Sequence, residues 1–456
     1  MAKKKAASQE GGLSARDIMA QALHKEHKNK RDRSLYMLPG DDAVQLGLAC
    51  PFVLEYLFDC GCLPLGVLLE VNGAQESCKT MFMYELGRMF ADSDGWLEMA
   101  LTEQKFSPTL ARSIMGWDRR SALAGPYLCE YMDDMQSILM ERINAADELA
   151  EKGVEGSGPL GNIFPVLFGA DSLMGANMKE KSDKIEKQGH AGRSFASEAL
   201  SLTDYLKHLA SKLSNKPYLG LLIRHRKESP GETPYSPNVV SKPGGKHVGY
   251  QVSYELILKG VSQKKQANVD RDGSLDIEHR WIRITNGKNS AGTNKNQAVV
   301  RVSWRKKVIQ GVVRQFTKWH WEEALVGLLM DWQEAKLDAK GTPAGRKQKM
   351  DEFFHIRKER GPLFWSDTLG MTKDDAVSQA KMGAMIQSNP DVIAGLRQMF
   401  GIQQSYIWDR EEDYNKAIRK VQAEAAQQAK DTIDSDLARE EFSRATAEMD
   451  DETFTR

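Results

Sequence analysis

The sequence predicts an α/β fold built on a mainly parallel central sheet, and three observations carry that expectation. Short, nearly continuous apolar runs recur at 67–71, 163–170 and 218–223, as expected of strands buried on both faces. Helical stretches at about 121–151 and 194–213 separate such runs, which is the pattern of βαβ units. The first run leads through polar residues 72–80 into Met81-Phe82-Met83-Tyr84-Glu85-Leu86, so the local order is strand, loop, helix.

The remaining elements follow in chain order. Residues 13–31 read as a basic helix, with Leu13, Ile18, Met19 and Leu23 at helical spacing, and Pro39-Gly40-Asp41-Asp42 reads as the turn that ends it. Leu63-Pro64-Leu65-Gly66 reads as a turn into the first strand. The second run ends at Asp171-Ser172 and the third at Arg224-His225-Arg226. Residues 250–258 alternate, and further strands are expected at 280–285 and 298–304. Segments 152–162 and 228–247, rich in Gly, Pro and Ser, read as loops. From about 320 the pattern becomes helical and Trp-rich, and the Ala-, Gln- and acid-rich end reads as a frayed helix or disordered tail. No internal repeat is found.

The 456 residues suffice for a full core with added domains. Basic and acidic residues balance at 63 each, but they are segregated. Lys and Arg cluster at 3–33, 179–193, 212–227 and 301–307, while the chain is acidic from Asp409 onward. Such a distribution suits a protein that grips a polyanion and tempers the grip with its tail; taken singly, each run reads equally as a solvated face. No apolar run reaches the roughly 18 residues that span a bilayer. The basic start Met1-Ala2-Lys3-Lys4-Lys5 lacks the apolar core of a secretory signal, so a cytoplasmic protein is expected. The five cysteines, Cys50, Cys60, Cys62, Cys78 and Cys129, are odd in number and match no zinc or redox spacing. Reduced thiols are expected.

Gly73-Ala74-Gln75-Glu76-Ser77-Cys78-Lys79-Thr80 fits the P-loop pattern at every position but one. Backbone N–H groups there would wrap phosphates, with a helix N-terminus behind them, Lys79 for the terminal phosphates and the Thr80 hydroxyl for Mg²⁺. Cys78 stands where Gly is usual, and its Cβ is acceptable only if the local φ is negative. Asp171 closes a buried strand, at the end where α/β proteins bind ligands.

The segment from Leu63-Pro64-Leu65-Gly66 to Glu76-Ser77-Cys78-Lys79-Thr80 resembles the RecA recombinase family, with its Gly-Leu-Pro-x-Gly lead-in and Glu-Ser-Ser-Gly-Lys-Thr core. Some phage members also lack the Gly before Lys. Leu101-Thr102-Glu103-Gln104-Lys105-Phe106-Ser107-Pro108 with Ala111-Arg112 and Met115-Gly116 resembles the segment carrying the family's catalytic glutamate. Asp171-Ser172-Leu173 resembles its Walker B ending, and His190-Ala191-Gly192-Arg193 the helix after its first DNA loop. Gly244-Gly245-Lys246 resembles its Gly-Gly-Asn. The resemblance covers about 13–305 and, more weakly, 361–401, through Gly361-Pro362-Leu363-Phe364-Trp365 and Asn389-Pro390-Asp391.

That resemblance implies a RecA-like P-loop ATPase core at 41–305, preceded by a helical arm at 1–40 that packs on a neighbouring protomer. A helical C-terminal domain at 306–405 and an acidic tail at 406–456 follow. It implies ATP and Mg²⁺ as cofactors, held by Gly73 to Thr80, with Thr80 and Asp171 on the metal. Glu103 would orient or deprotonate the attacking water, Lys79 would stabilise the phosphates, and His225, at a position where Gln is usual, would sense the γ-phosphate. DNA would be gripped by Lys179, Lys181, Lys184, Lys187 and Arg193 in one loop. A second loop supplies Arg226, Lys227, Tyr235, Lys242, Gly244, Gly245 and Lys246, cations and a ring of the kind that single strands need. Tyr250 and Lys288 fall near the family's subunit interface, Lys288 with Lys295 in a Gly- and Asn-rich loop at 286–296. Implied partners are single- and double-stranded DNA, further copies of the chain in a helical filament, and single-strand-binding and loader proteins; no membrane is implied. The chain departs from bacterial members in a long helical stretch at 118–161 and an enlarged 305–360. Three other readings stand beside this one: a DNA-dependent ATPase without strand exchange (a loader or regulator), a DNA-coating protein with an inactive P-loop, and a ring helicase.

Overall fold

The computed structural model describes residues 45–102, 106–118, 122–152, 164–173, 195–214, 216–225, 227–229, 239–241, 249–264, 268–269, 275–289, 296–334, 355–357, 363–366, 369–402 and 405–407. The arm expected at 1–40 lies outside them, as does the tail from 408 onward.

After helix α1 (Phe52–Phe58), strands and helices alternate: β1 (Val67–Gly73), α2 (Lys79–Asp92), β2 (Trp96–Leu101), α3 (Pro108–Met115), β3 (Leu123–Leu128), α4 (Met132–Lys152), β4 (Val166–Asp171), α5 (Phe195–Leu213) and β5 (Tyr218–His225). Four long strands then follow, β6 (Tyr254–Lys264), β7 (Leu275–Asn289), β8 (Gln297–Ile309) and β9 (Val312–Trp319), before helices α6 (Trp321–Glu334), α7 (Gln379–Gln387) and α8 (Pro390–Phe400). The large sheet runs β9-β8-β7-β6-β1-β5-β4-β2-β3, with a short strand at Asn268–Val269 paired to β7. Its six strands from β6 to β3 pair in parallel, and β6 to β9 pair antiparallel. The expected α/β architecture with a mostly parallel sheet is therefore present.

The apolar runs are continuous because both faces of the parallel strands are covered. Leu69, Val71, Leu221 and Ile223 pack with α2 and its neighbours, while Leu68, Phe168 and Leu222 pack with residues of α4 and α5. Period-two alternation sends successive residues to opposite helical layers, so an apolar residue suits every position. Helix α2 is buried almost all round. Phe82 sits edge-on to Trp319 and Trp321, whose rings stack at 5.7 Å.

Several expectations are corrected. The stretch at 121–151, read as helical, begins with strand β3, whose Gly125-Pro126 step suits only a sheet edge. Strand β2 was not foreseen. Its Trp-Leu-Glu-Met-Ala-Leu composition favours helix, but Glu98 is held by the Trp96 indole and the Tyr127 hydroxyl, and pairing on both edges overrides propensity. In the segment read as a loop at 228–247, Lys227–Ser229 pairs with Val239–Ser241. Strand β7 continues to Asn289, into the expected loop at 286–296. The domain boundary expected at 305 falls inside β8, and β9 extends the same sheet to 319. Helices α6, α7 and α8 share one core with α2, through Leu325, Met382, Ile386 and Leu396. Arg397 closes this unit with two 2.7 Å bonds to the buried Glu55 carboxylate on α1. Strand Gln45–Leu48 lies between Leu63–Pro64 and Ser405–Ile407, parallel to the latter.

Helix α6 is locked to β8 by an ionic cluster. Arg301 donates to both Glu323 carboxylate oxygens, at 2.8 and 2.5 Å, and also lies 3.1 Å from ring nitrogens of His279 and His320. Burial alone would raise the Glu323 carboxyl, but the hydrogen bonds from His320 and Arg301 outweigh it and hold it at about 2. A carboxyl depressed on folding stabilises the fold above its unfolded value and loses that contribution as pH falls through the folded one. The wild type should therefore lose on the order of 2 kcal/mol from this group as pH drops from the ordinary 4.5 to about 2. Glu323→Gln should melt lower at neutral pH and show a flatter melting temperature across that acid window, measured by circular dichroism. Parallel acid profiles for the two proteins would remove Glu323 from the account.

Candidate phosphate-binding site

The register of the parallel strands brings their carboxyl ends to nearly one level, with those of β2 and β4 two residues below those of β1 and β5. Gly73 on β1 pairs with His225 on β5, and Leu101 on β2 pairs with Asp171 on β4. A cavity of about 420 Å³ opens above this level. Its polar wall is residues 75–80 with Asp171, His225 and Arg280, and its apolar wall is Met81, Tyr84, Met99, Leu101 and Phe106. That volume suits a small organic ligand with one charged end.

The loop between β1 and α2 is shaped by close backbone contacts. A Cβ on Gly73 would lie 2.3 Å from the Leu258 carbonyl oxygen and 2.5 Å from Ser77 Oγ, so only glycine fits. Ser77 Oγ donates to the Ala74 carbonyl at 2.8 Å. Lys79 Nζ turns back to donate to the carbonyls of Ala74 at 2.7 Å and Gly73 at 3.2 Å. Glu76 and Cys78 have φ of 62° and 65°, whereas their neighbours Gln75 and Ser77 do not have positive φ. Alternating ordinary and left-handed residues make the kind of N–H nest that binds anions, and the 14-residue α2 adds its positive dipole end.

Cys78 therefore corrects an expectation. Its φ is positive, not negative, so its Cβ is carried in a conformation that glycine adopts without penalty. The thiol is buried in the cavity wall.

Thr80 Oγ1 donates to Asp171 Oδ2 at 2.5 Å, across from α2 to the end of β4. A hydroxyl beside a carboxylate is a donor set for a hard divalent cation completed by water and phosphate. Among the described residues no group of three or more His, Cys, Asp and Glu converges on a metal position, so protein ligands alone do not make a cage. Tyr84, one helical turn beyond Thr80, is buried, and burial followed by the Asp171 charge pushes its phenol well up. The Asp171–Ser172 peptide is cis. Thr102 stitches β2 to this corner, donating from Oγ1 to the Ser172 carbonyl at 2.7 Å and from its N–H to the Asp171 carbonyl at 3.0 Å. Glu103 follows Thr102 directly but lies outside the described residues.

Beneath the cavity, on the α4 and α5 side of the sheet, lies a buried charged layer. Arg224, 1% exposed, has Nε 3.3 Å from Glu70 Oε1, and Glu70 is fully buried. Asn72 donates to Glu70 at 3.1 Å and to Glu255 at 2.5 Å. Lys288 stands at the end of β7, not in a loop. It donates to the carbonyls of Gly249 at 2.9 Å and of Val252, and burial lowers its ammonium against the opposing pull of Glu255 and Glu70. Tyr250 sits on the same turn, before β6 and 71% exposed.

Of the sequence-derived residues, Gly73, Ala74, Gln75, Glu76, Ser77, Cys78, Lys79, Thr80, Asp171 and His225 thus gather at one site. Lys227 lies in a short strand next to the end of β5. Lys179, Lys181, Lys184, Lys187, Arg193, Arg226, Tyr235, Lys242, Gly244, Gly245, Lys246 and Lys295 lie outside the described residues. Sequence reasoning missed Tyr84 and Arg280. Tyr84 carried a signal in its four-residue spacing from Thr80, but Arg280 carried none, because its place depends on the pairing of distant strands.

No protein-family model matches this chain, and neither does any curated protein.

Cys78→Gly removes a Cβ from a left-handed residue, a relief of roughly 1–2 kcal/mol. Glycine's greater freedom in the unfolded chain takes back about 0.5–1 kcal/mol. The variant should be more stable by up to about 1.5 kcal/mol in urea denaturation, while Cys78→Ala should show no gain. A glycine variant no more stable than the alanine one would mean that the loop is not strained there.

Proposed function

We propose that the chain is a RecA-type DNA-dependent ATPase that assembles on single-stranded DNA and exchanges strands. The observation that carries this reading is the nest at 74–78 with Lys79, Thr80 and Asp171 gathered beside it at the carboxyl ends of β1 and β4. The order of the flanking motifs in the sequence supports it.

In this reading the loop N–H groups and the α2 N-terminus bind the polyphosphate of ATP. Lys79 leaves the loop carbonyls and pairs with the β- and γ-phosphates. Thr80 and Asp171 fit the hydroxyl and carboxylate roles at a Mg²⁺, which would neutralise charge developing on the transferred phosphoryl group. Glu103, the next residue in the chain after Thr102, orients the attacking water. His225, in register with Gly73, faces the γ-phosphate end. It is followed within two residues by the strand at Lys227–Ser229 that opens the second proposed DNA loop, so phosphate contact and DNA grip share one backbone. Exposed Tyr250 offers a ring to a neighbouring protomer. The left-handed Cys78 keeps a second reading in play, an ATPase of the same core that loads or regulates without exchanging strands.

Purified protein should hydrolyse ATP, faster with single-stranded DNA, and Lys79→Ala should reduce the rate on the order of 100-fold or more. Electron microscopy with ATP and single-stranded DNA should show helical filaments. Joint-molecule formation separates the first reading from the second. Protein that neither binds ATP nor coats DNA ends both.

A further inference from the structure

Strands β6 and β7 run on past the parallel half of the sheet. The last pair joining β6 to β1 is Leu258 with Gly73, yet β6 continues to Lys264 and pairs Gln263 with Arg280. At roughly 3.3 Å per residue, the five further residues to Gln263 carry the strand pair about 16 Å past the start of the phosphate loop. Arg280 is thereby brought over that loop from a part of the chain about two hundred residues away. Its Nη1 donates to the Glu76 carbonyl at 3.2 Å, and its guanidinium lies 5.7 Å from the centroid of the Trp304 ring on β8. The ring face attracts the cation and sets the plane of the fork.

We propose that Arg280 is a positioning residue of the phosphate cradle. It holds the Glu76–Ser77 peptide in its anion-binding orientation and places a second cation beside Lys79. The peptide unit is planar and trans, so its carbonyl and N–H point in opposite directions. Holding the Glu76 carbonyl therefore also fixes the Ser77 N–H, in the middle of the nest. Glu76 is one of the two left-handed residues on which the nest depends, so its orientation needs an outside restraint. Arg280 also lines the cavity itself, so its charge adds to the field that a polyphosphate meets. The recognised chemistry is that of a nucleoside polyphosphate, and the inference rests on the reading of the cavity as a nucleotide site.

Binding of Mg-ATP is measured by calorimetry for the wild type, Lys79→Ala, Arg280→Gln and Arg280→Lys, with melting temperatures alongside. Arg280→Gln should bind about ten-fold more weakly, the scale of one charge-assisted hydrogen bond, with its melting temperature unchanged. Arg280→Lys, which keeps a charge and a donor, should recover most of that loss. In steady-state hydrolysis the glutamine variant should show a raised KM and a nearly unchanged kcat, as expected when uniform binding is lost. Arg280→Gln binding within two-fold of the wild type, while Lys79→Ala fails to bind, overturns the role of Arg280 alone. A wild type that does not bind Mg-ATP overturns the nucleotide reading, and this inference with it. If Arg280→Gln does not fold, Trp304→Leu carries the test: weaker Mg-ATP binding supports the inference and wild-type affinity overturns it.

Discussion

The candidate site depends on one geometric constraint, the nearly common level reached by the carboxyl ends of β1, β5, β4 and β2. Parallel pairing fixes that level residue by residue, with Gly73 opposite His225 and Leu101 opposite Asp171. Because each strand end is set by its neighbour, a side chain from any one of them arrives at a defined height. Thr80 meets Asp171 only because α2 starts as soon as β1 has left the sheet. The left-handed turns at Glu76 and Cys78 are what allow so short a connection.

The charged layer beneath that level bears on the same constraint. Glu70 and Glu255 are two carboxylates, and Arg224 and Lys288 are two cations, all on neighbouring strands. Removing charges from water is costly, and the cost is met only when opposite charges and hydrogen bonds are close. Asn72 links the carboxylates, and it directly precedes Gly73, as Arg224 directly precedes His225. A shift of one strand along another would separate these partners inside the core. The layer therefore opposes slippage at the place where the cavity needs fixed heights.

How much was legible in the sequence follows from whether each signal was local. β1, β4 and β5 were legible because burial on both faces forces unbroken apolar runs. The loop at 73–80 was legible because the P-loop pattern places Gly73, Lys79 and Thr80 at fixed spacing within one short segment. β2 and β3 were not, since Trp96–Leu101 has helix-favouring residues and Leu123–Leu128 contains Gly125-Pro126. β2 becomes a strand by pairing with β4 and β3, and β3, at the edge, by pairing with β2. The division at 305 failed for a related reason. The alternation of β8 and β9 continues the sheet, and the helical pattern begins only after Trp319. Arg280 lies furthest from legibility, because its meeting with Glu76 requires the registers of three strands at once. The sign of φ at Cys78 was likewise set by the path of the loop, which a residue name does not encode.

The strand at Gln45–Leu48 lies alongside Ser405–Ile407 and runs in the same direction. The polypeptide thus enters this pair at one extremity and leaves it at the other. Tension applied through the two flanking segments would load the joining hydrogen bonds lengthwise and together, in shear, where an antiparallel pair pulled from the same positions could peel open one bond at a time. With three registered residue pairs, the clasp is small but oriented to resist a pull along its length.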